Sequence, residues 1–423
     1  MSKQLLDDCF LHDRDRMRHD EALALLRSRI VPVAGHERLT LIEASNRVLA
    51  EAAVAGMPVP AHTNAAVDGY SFAASDYDRA TGTTFHVHGR AAAGHPLGAP
   101  PVAGSATRIF TGAALPTAHD TVVMQEDVAR DTSAGTVTVP SGLKAGANVR
   151  RAGEDVAAGT VLVAAGRVLL PQDLAALASI GLADVLCFKR LVVGLLSTGD
   201  EVVRPGQTLQ PGQVFDANAP MLRALIASAG ATAIELGIAP DNAEALAAML
   251  TDAARRCDVI ITTGGASRGE EDHMITALDK LGKRHLWQLA IKPGRPMAFG
   301  QIGDCVMLGL PGNPVAVFVC FLMYAWPMLH GLGGAPWPEP RRYHLPAAFA
   351  FPNRKTGRRE FWRGLLVDGP GGLCVDKFAR DGSGLISGLR AAHGLIDIPE
   401  DVVEVRPGDP VAFIPFSEFG MVS

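Results

Sequence analysis

Apolar positions change their spacing several times along the chain. Leu23, Leu26 and Ile30 fall on one helical face after a charged start, and Leu39 to Ala50 gives a second short helical pattern. From Ala55 the pattern shifts to short β-branched segments such as Thr83–Val87 and Thr136–Val139, broken by Pro58, Pro60 and many glycines. This predicts a small β-rich unit with many turns, reaching to about residue 150. Mixed structure returns with Val161–Val163 and a helix from Pro171 to Ser179, where the proline suits the first turn. These residues are expected to pack with 1–50, which makes the β-rich part an insertion.

A stronger signal runs from 188 to 332. Leu191–Leu196, Asp258–Thr263 and Val306–Leu310 are continuous apolar runs, as expected of strands covered on both faces. Ala231–Ala239 is also strand-like. Between these segments lie a helix that Asn218 can cap, a helix that Asp241 or Asn242 can cap, and an apolar helix from Pro314. The alternation predicts a doubly wound parallel sheet, whose ligands sit outside the carboxyl ends of the strands. After the Pro-rich stretch Pro336 to Pro340, short segments such as Gly364–Val367, Leu373–Val375 and Val411–Ile414 predict a small all-β domain. The expected division is 1–53 with 146–187 (mixed α/β), 54–145 (β-rich insertion), 188–334 (α/β) and 335–423 (all-β).

Composition narrows the function. The chain has 423 residues, 48% hydrophobic and 20% charged, which is globular. Its net charge of −5 argues against a non-specific nucleic-acid binder, so any anion must meet local positive charge. The six cysteines include no CxxC pair, which points to buried thiols in a reducing compartment. Met1 to Asp20 is polar, without the apolar centre of a secretory leader, and the longest apolar run, Val315 to Trp326, is shorter than the roughly 20 residues of a membrane span. The expectation is a cytoplasmic protein.

Three loops leave the carboxyl ends of the expected strands: Ser197–Glu201, Thr262–Gly269 and Gly309–Pro314. Their glycines let backbone N–H groups approach a ligand, which suits phosphate or another oxyanion. Glu201, Asp241 and Asp272 lie at or near the same ends and offer oxygen to Mg²⁺, although Asp241 alone reads equally well as a helix cap. Lys292-Pro293-Gly294-Arg295 brings two cations onto one turn, and Gly357–Phe361 carries Arg358. Asp68-Gly69 reads by itself as a hairpin turn. His86 and His88 share a strand face; a polar face is the simpler reading than a metal site.

Together these segments resemble the MoeA family of molybdopterin molybdenumtransferases, which includes the E domain of gephyrin. The similarity runs in order through Asn64–Tyr70, Thr111–Ala113 with Val122–Glu126, Ser197–Glu201, Gly212–Asn218, Thr263–Gly269 with Asp272, Lys292–Phe299, Gly309–Val315 and Gly357–Phe361. The resemblance implies an L-shaped homodimer of four-domain subunits. It also implies Mg²⁺-dependent insertion of molybdate into adenylylated molybdopterin with release of AMP. By motif, Thr198, Gly199, Asp200, Gly264, Gly265 and Ser267 would hold the pterin phosphate, with Thr111, Pro311 and Pro314 also at the binding surface. Glu201, Asp241 and Asp272 would serve metal, and Glu201, Asp272, Asp68 and Lys292 catalysis. Lys292, Arg295, Arg358 and Ser387 would attract molybdate, and Asp68 would come from the second subunit. Implied protein partners are the preceding adenylyltransferase and recipient molybdoenzymes.

Some positions depart from the family pattern. Thr63 stands where Asp is common before Asn64, Arg295 replaces a common Lys, Ala316 a common Ser, and Gly388 follows Ser387 where a second Ser is frequent. The competing functions are the adenylyltransferase, whose single domain resembles residues 188–332, and a ligand-binding or scaffolding module. Extra domains at both ends argue against the first, and Asp272 with Lys292 against the second.

Overall fold

The computed structural model describes residues 16–264, 277–278 and 280–421. The α/β unit is built on a six-stranded sheet in the order Thr232–Ala239, Val192–Thr198, Val259–Thr263, Cys305–Leu310, Pro296–Ile302 and Lys283–Gln288. The first four strands are parallel, as their apolar runs predict. The last two continue the sheet antiparallel. Alternate side chains serve opposite faces. Val193, Leu195, Val259, Ile261 and Leu308 meet the helix Asn218–Ser228 and the apolar helix from Pro314. Leu196, Ile260 and Met307 meet the helix Ala243–Ala254. The sheet is therefore doubly wound.

The helix from Pro314 to Leu332 passes through a π segment at Phe321–Ala325. It is long and apolar enough to cross a membrane, but 94% of its apolar window is buried, so it is the central core helix. Two helix starts differ in their caps. Asn242 caps its helix through bonds from the Glu244 and Ala245 N–H groups. Asn218 does not cap; Asp216 accepts the Asn218 and Ala219 N–H groups instead, at 3.1 and 3.0 Å.

Near the N-terminus, His36–Thr40 pairs antiparallel with Asp184–Phe188, and Ala53–Val54 with Val161–Val163. Leu49, Leu169, Leu177 and Val185 form their core with the helix Pro171–Ser179. Leu39 to Ala50 is not helical. Glu43 accepts the Thr40 N–H and hydroxyl, and Asn46 adopts a left-handed φ of 57°, which stops a helix. The strand partner lies far along the chain, where local periodicity does not reveal it. The first helix, His19–Arg29, does not join this unit. Ala22 and Leu26 pack into the α/β core beside Met328 and Leu329.

Between Val54 and Val161 lies a second six-stranded sheet, ordered Thr121–Met124, Gly69–Phe72, Ser105–Ile109, Thr83–Ala91, Thr136–Val139 and Ala129–Asp131. Asp68-Gly69 is not a hairpin turn. Asn64–Ala65 and Gly69–Phe72 enter different sheets, and Gly69 is needed because its backbone lies against the Val123 carbonyl.

The C-terminal sheet runs Ile291–Lys292, Arg359–Gly369, Gly394–Ile398, Pro410–Pro415 and Tyr343–Pro346, with Gly372–Lys377 also paired to Arg359–Gly369. Its first strand comes from the α/β unit: Ile291 and Lys292 pair parallel with Arg359 and Glu360. This join places the end of the α/β sheet against the all-β domain.

Candidate functional site

A cavity of 590 Å³ opens at that join. Gly264, Pro311, Gly312, Asn313 and Ala316 line it from the α/β strand ends; Lys292 to Pro296 line it from the joining turn. The opposite wall is Phe361, Trp362, Arg363, Lys377, Phe378 and Asp381 to Ser383. Gly294 has φ 101°, and a Cβ there would strike the Cys320 sulfur, so the turn between Lys292 and Arg295 requires glycine.

The three loops converge. The Thr198 hydroxyl donates to the Thr263 carbonyl at 3.1 Å. Gly264 has φ 87°, and a Cβ there would meet that same hydroxyl at 2.7 Å. The Asn218 amide donates to the Gly312 carbonyl at 2.7 Å, tying the third loop to the helix. Beneath them, Ser197 donates to the buried Asp216 at 2.5 Å. This rim of glycine backbone and hydroxyls suits an oxyanion.

The cations sort into two groups. Glu360, whose side chain is 2% exposed, accepts the Arg358 Nε at 3.0 Å and the Trp362 indole N–H at 2.9 Å, with Lys292 at 3.6 Å. Burial pushes the Glu360 carboxyl up, but the bonds from Trp362 and Arg358 and the Lys292 charge hold it below the ordinary glutamate value. Arg358 thus serves Glu360 and does not line the cavity. Lys292 reaches both the carboxylate and the cavity. Arg295 is exposed on the cavity rim.

Ser387 is exposed on the short helix Ile386–Ala391 and does not line the cavity; Ser383 does. Gly388 is buried, and a Cβ there would crowd Arg363 and Phe378, which accounts for glycine at that position. Arg363 and Lys377 were not among the expected residues. Strand alternation could have found Arg363, since it lies two residues beyond Phe361 on the same face. Lys377 gave no such signal.

The carboxylates expected to hold metal are only partly described. Gly265, Ser267 and Asp272 lie outside the described residues. Glu201 folds its carboxylate over Gly199, and Asp200 accepts the Asp241 N–H at 3.1 Å. Asp200 and Asp241 thus meet where the strands Val192–Thr198 and Thr232–Ala239 end, through a backbone bond and not as a cluster of carboxylates. Among the described residues, no group of three or more His, Cys, Asp or Glu is placed to hold a metal. Pro314 opens the core helix between the lining residues Asn313 and Val315 and does not itself line the cavity. Asp68 sits in the inserted sheet, where its carboxylate accepts the Thr111 N–H and hydroxyl at 2.8 and 2.7 Å. Those bonds hold it below the ordinary aspartate value. Neither residue lines the cavity. His86 and His88 are both exposed. Cys187, Cys257, Cys305, Cys320 and Cys374 are buried free thiols, as expected.

The geometry has counterparts among known proteins. Residues 17–181 match the MoeA N-terminal region (domain I and II), 194–331 a probable molybdopterin binding domain, and 345–416 the MoeA C-terminal region (domain IV). A molybdopterin molybdenumtransferase of Haemophilus influenzae is 37% identical over 383 residues, covering 90% of this chain and 94% of that protein. Molybdopterin molybdenumtransferase 2 of Mycobacterium tuberculosis is 35% identical, covering 87% and 92%. The crystal structure of the molybdopterin biosynthesis moeA protein from Pyrococcus horikoshii superposes with a TM-score of 0.81 at 29% identity, over 95% of this chain and 99% of that one. With its three regions in the same order and its strand-end loops facing the C-terminal domain, the chain belongs to the MoeA family of molybdopterin molybdenumtransferases, enzymes of molybdenum cofactor biosynthesis.

Proposed function

We propose that this chain inserts molybdate into adenylylated molybdopterin and releases AMP. The observation that carries the reading is the junction cavity: cations Lys292, Arg295 and Lys377 line a space bounded by the glycine loop end Gly264 and by Pro311 to Asn313. An acidic chain offers molybdate no long-range attraction, so capture rests on this local cluster. Thr198, Gly199, Asp200, Gly264, Gly265 and Ser267 hold the pterin phosphates, and Lys292 and Arg295 position the oxyanion beside them.

Glu201, Asp241 and Asp272 would hold Mg²⁺, which when bound supplies charge to the phosphates and to the departing AMP. Asp68 and Thr111, which do not line the cavity in their own chain, come to it from the inserted domain of a second copy, so the working unit is a homodimer. The upstream adenylyltransferase and recipient molybdoenzymes are its protein partners, and the cytoplasm its compartment. The four units divide near 54, 146, 188 and 335, with the first helix packed on the third.

The test is incubation with adenylylated molybdopterin, Mg²⁺ and molybdate, following AMP release and cofactor transfer to an apo-enzyme. Molybdate-dependent AMP release with reconstitution is expected. AMP release that ignores molybdate, without reconstitution, overturns the reading.

A further inference from the structure

The wall of the cavity contributed by the C-terminal domain holds a carboxylate where an anion would bind. Lys377 ends the strand Gly372–Lys377 with its side chain 10% exposed. Its ammonium lies 5.4 and 5.6 Å from the ring centres of Phe351 and Trp362, which fix it in place. It donates to the Asp381 carboxylate at 2.6 Å. Asp381 is 53% exposed, so the pair joins an anchored cation to an acid that can leave for solvent.

Arg363 plays a different part. Its two terminal nitrogens donate to the Leu385 and Arg380 carbonyls, at 3.0 and 2.5 Å, on either side of Asp381. It lines the cavity and its charge is felt there, while two of its N–H donors hold the loop. Within that loop Gly382 has φ 140°, a backbone setting that favours glycine. Burial pushes the Asp381 carboxyl up, yet the Lys377 hydrogen bond and the Lys377, Lys292 and Arg363 charges hold it below the ordinary aspartate value. It is therefore ionised at neutral pH.

We propose that Asp381 is a resident counter-anion, which an entering oxyanion must displace from Lys377, so that this one side chain sets the oxyanion affinity of the cavity. The idea rests on the oxyanion reading given above. A tetrahedral dianion brings twice the charge of a carboxylate and four acceptor oxygens, so it competes for the same ammonium and then repels the acid it has replaced.

Calorimetric titration of sodium molybdate into the whole wild-type chain, Asp381→Asn, Asp381→Glu and Lys377→Met tests this. Asp381→Asn is expected to bind roughly three- to tenfold more tightly than wild type, because a partly exposed ion pair no longer has to be broken. Asp381→Glu keeps the competing charge and should stay within about twofold. Lys377→Met should bind at least about tenfold more weakly. A purely structural role for Asp381 does not raise affinity. Equal or weaker binding by Asp381→Asn, with wild type binding and Lys377→Met impaired, overturns the proposal and leaves the oxyanion reading standing. Absence of binding to every variant overturns both.

Discussion

Lys292 and Glu360 face each other at 3.6 Å across the join between the α/β unit and the C-terminal domain, on strands paired in register. The carboxylate is buried and the ammonium is half-exposed towards the cavity. One acid thereby orients a ligand-facing cation and also pairs with Arg354 and Arg358 behind it.

Glu360→Gln removes that shared charge while keeping the shape. It should destabilise the protein by about 3–5 kcal/mol, since the buried Arg354 loses this counter-charge. Because the folded Glu360 pKa lies below its unfolded value, its contribution is complete above the ordinary glutamate value and is lost as pH falls through the folded one. Denaturant melts of wild type and variant should converge on acidification. Parallel curves across that range would remove Glu360 from this role.

Lys292 and Arg358 should separate by phenotype. Lys292→Ala takes a donor from the cavity, and the molybdate needed for half-maximal insertion should rise roughly tenfold or more. Arg358→Ala takes a partner from Glu360, so it should cost about 1–2 kcal/mol of stability and move molybdate dependence less than about threefold. Steady-state molybdate titrations beside thermal melts decide it; the reverse assignment of phenotypes would refute the geometry.

Ala316 is 3% exposed at the cavity wall and offers no hydroxyl there. Ala316→Ser should tighten molybdate binding by roughly two- to fivefold, as expected for one added neutral donor. Unchanged affinity in a folded variant would place the hydroxyl outside the oxyanion's reach.

His19 is fully buried, with Nδ1 2.8 Å from the Tyr324 hydroxyl. Burial first, then the charge of Arg359, lowers its pKa to about 4. The unfolded imidazole takes its proton near pH 6.5, so stability is complete above that value and falls between about 6.5 and 4, by about 3 kcal/mol in total. His19→Phe should flatten that slope. A variant with the wild-type slope would assign the loss elsewhere.

The parallel half of the α/β sheet was legible because strands covered on both faces must be continuously apolar, as Val259–Thr263 is. The antiparallel strand Pro296–Ile302 was hidden behind Lys292–Arg295, whose turn chemistry suggested only a loop. Leu39 to Ala50 misled because its partner strand, Asp184–Phe188, is remote in sequence. At the site, the glycine loops announced themselves through composition. Lys377 and Asp381 did not, since their place depends on Arg363 holding the carbonyls of a distant loop.

The shared strand Ile291–Lys292 also bears on modularity. A free-standing α/β domain cut at the Pro-rich linker would leave the Ile291–Lys292 backbone without its neighbour and the anion-facing lysine without its counter-charge. Fusing a C-terminal domain to such a module is therefore not enough to create the cavity. The added domain must also accept a borrowed strand, so the two modules are constrained to change together at Lys292 and Glu360.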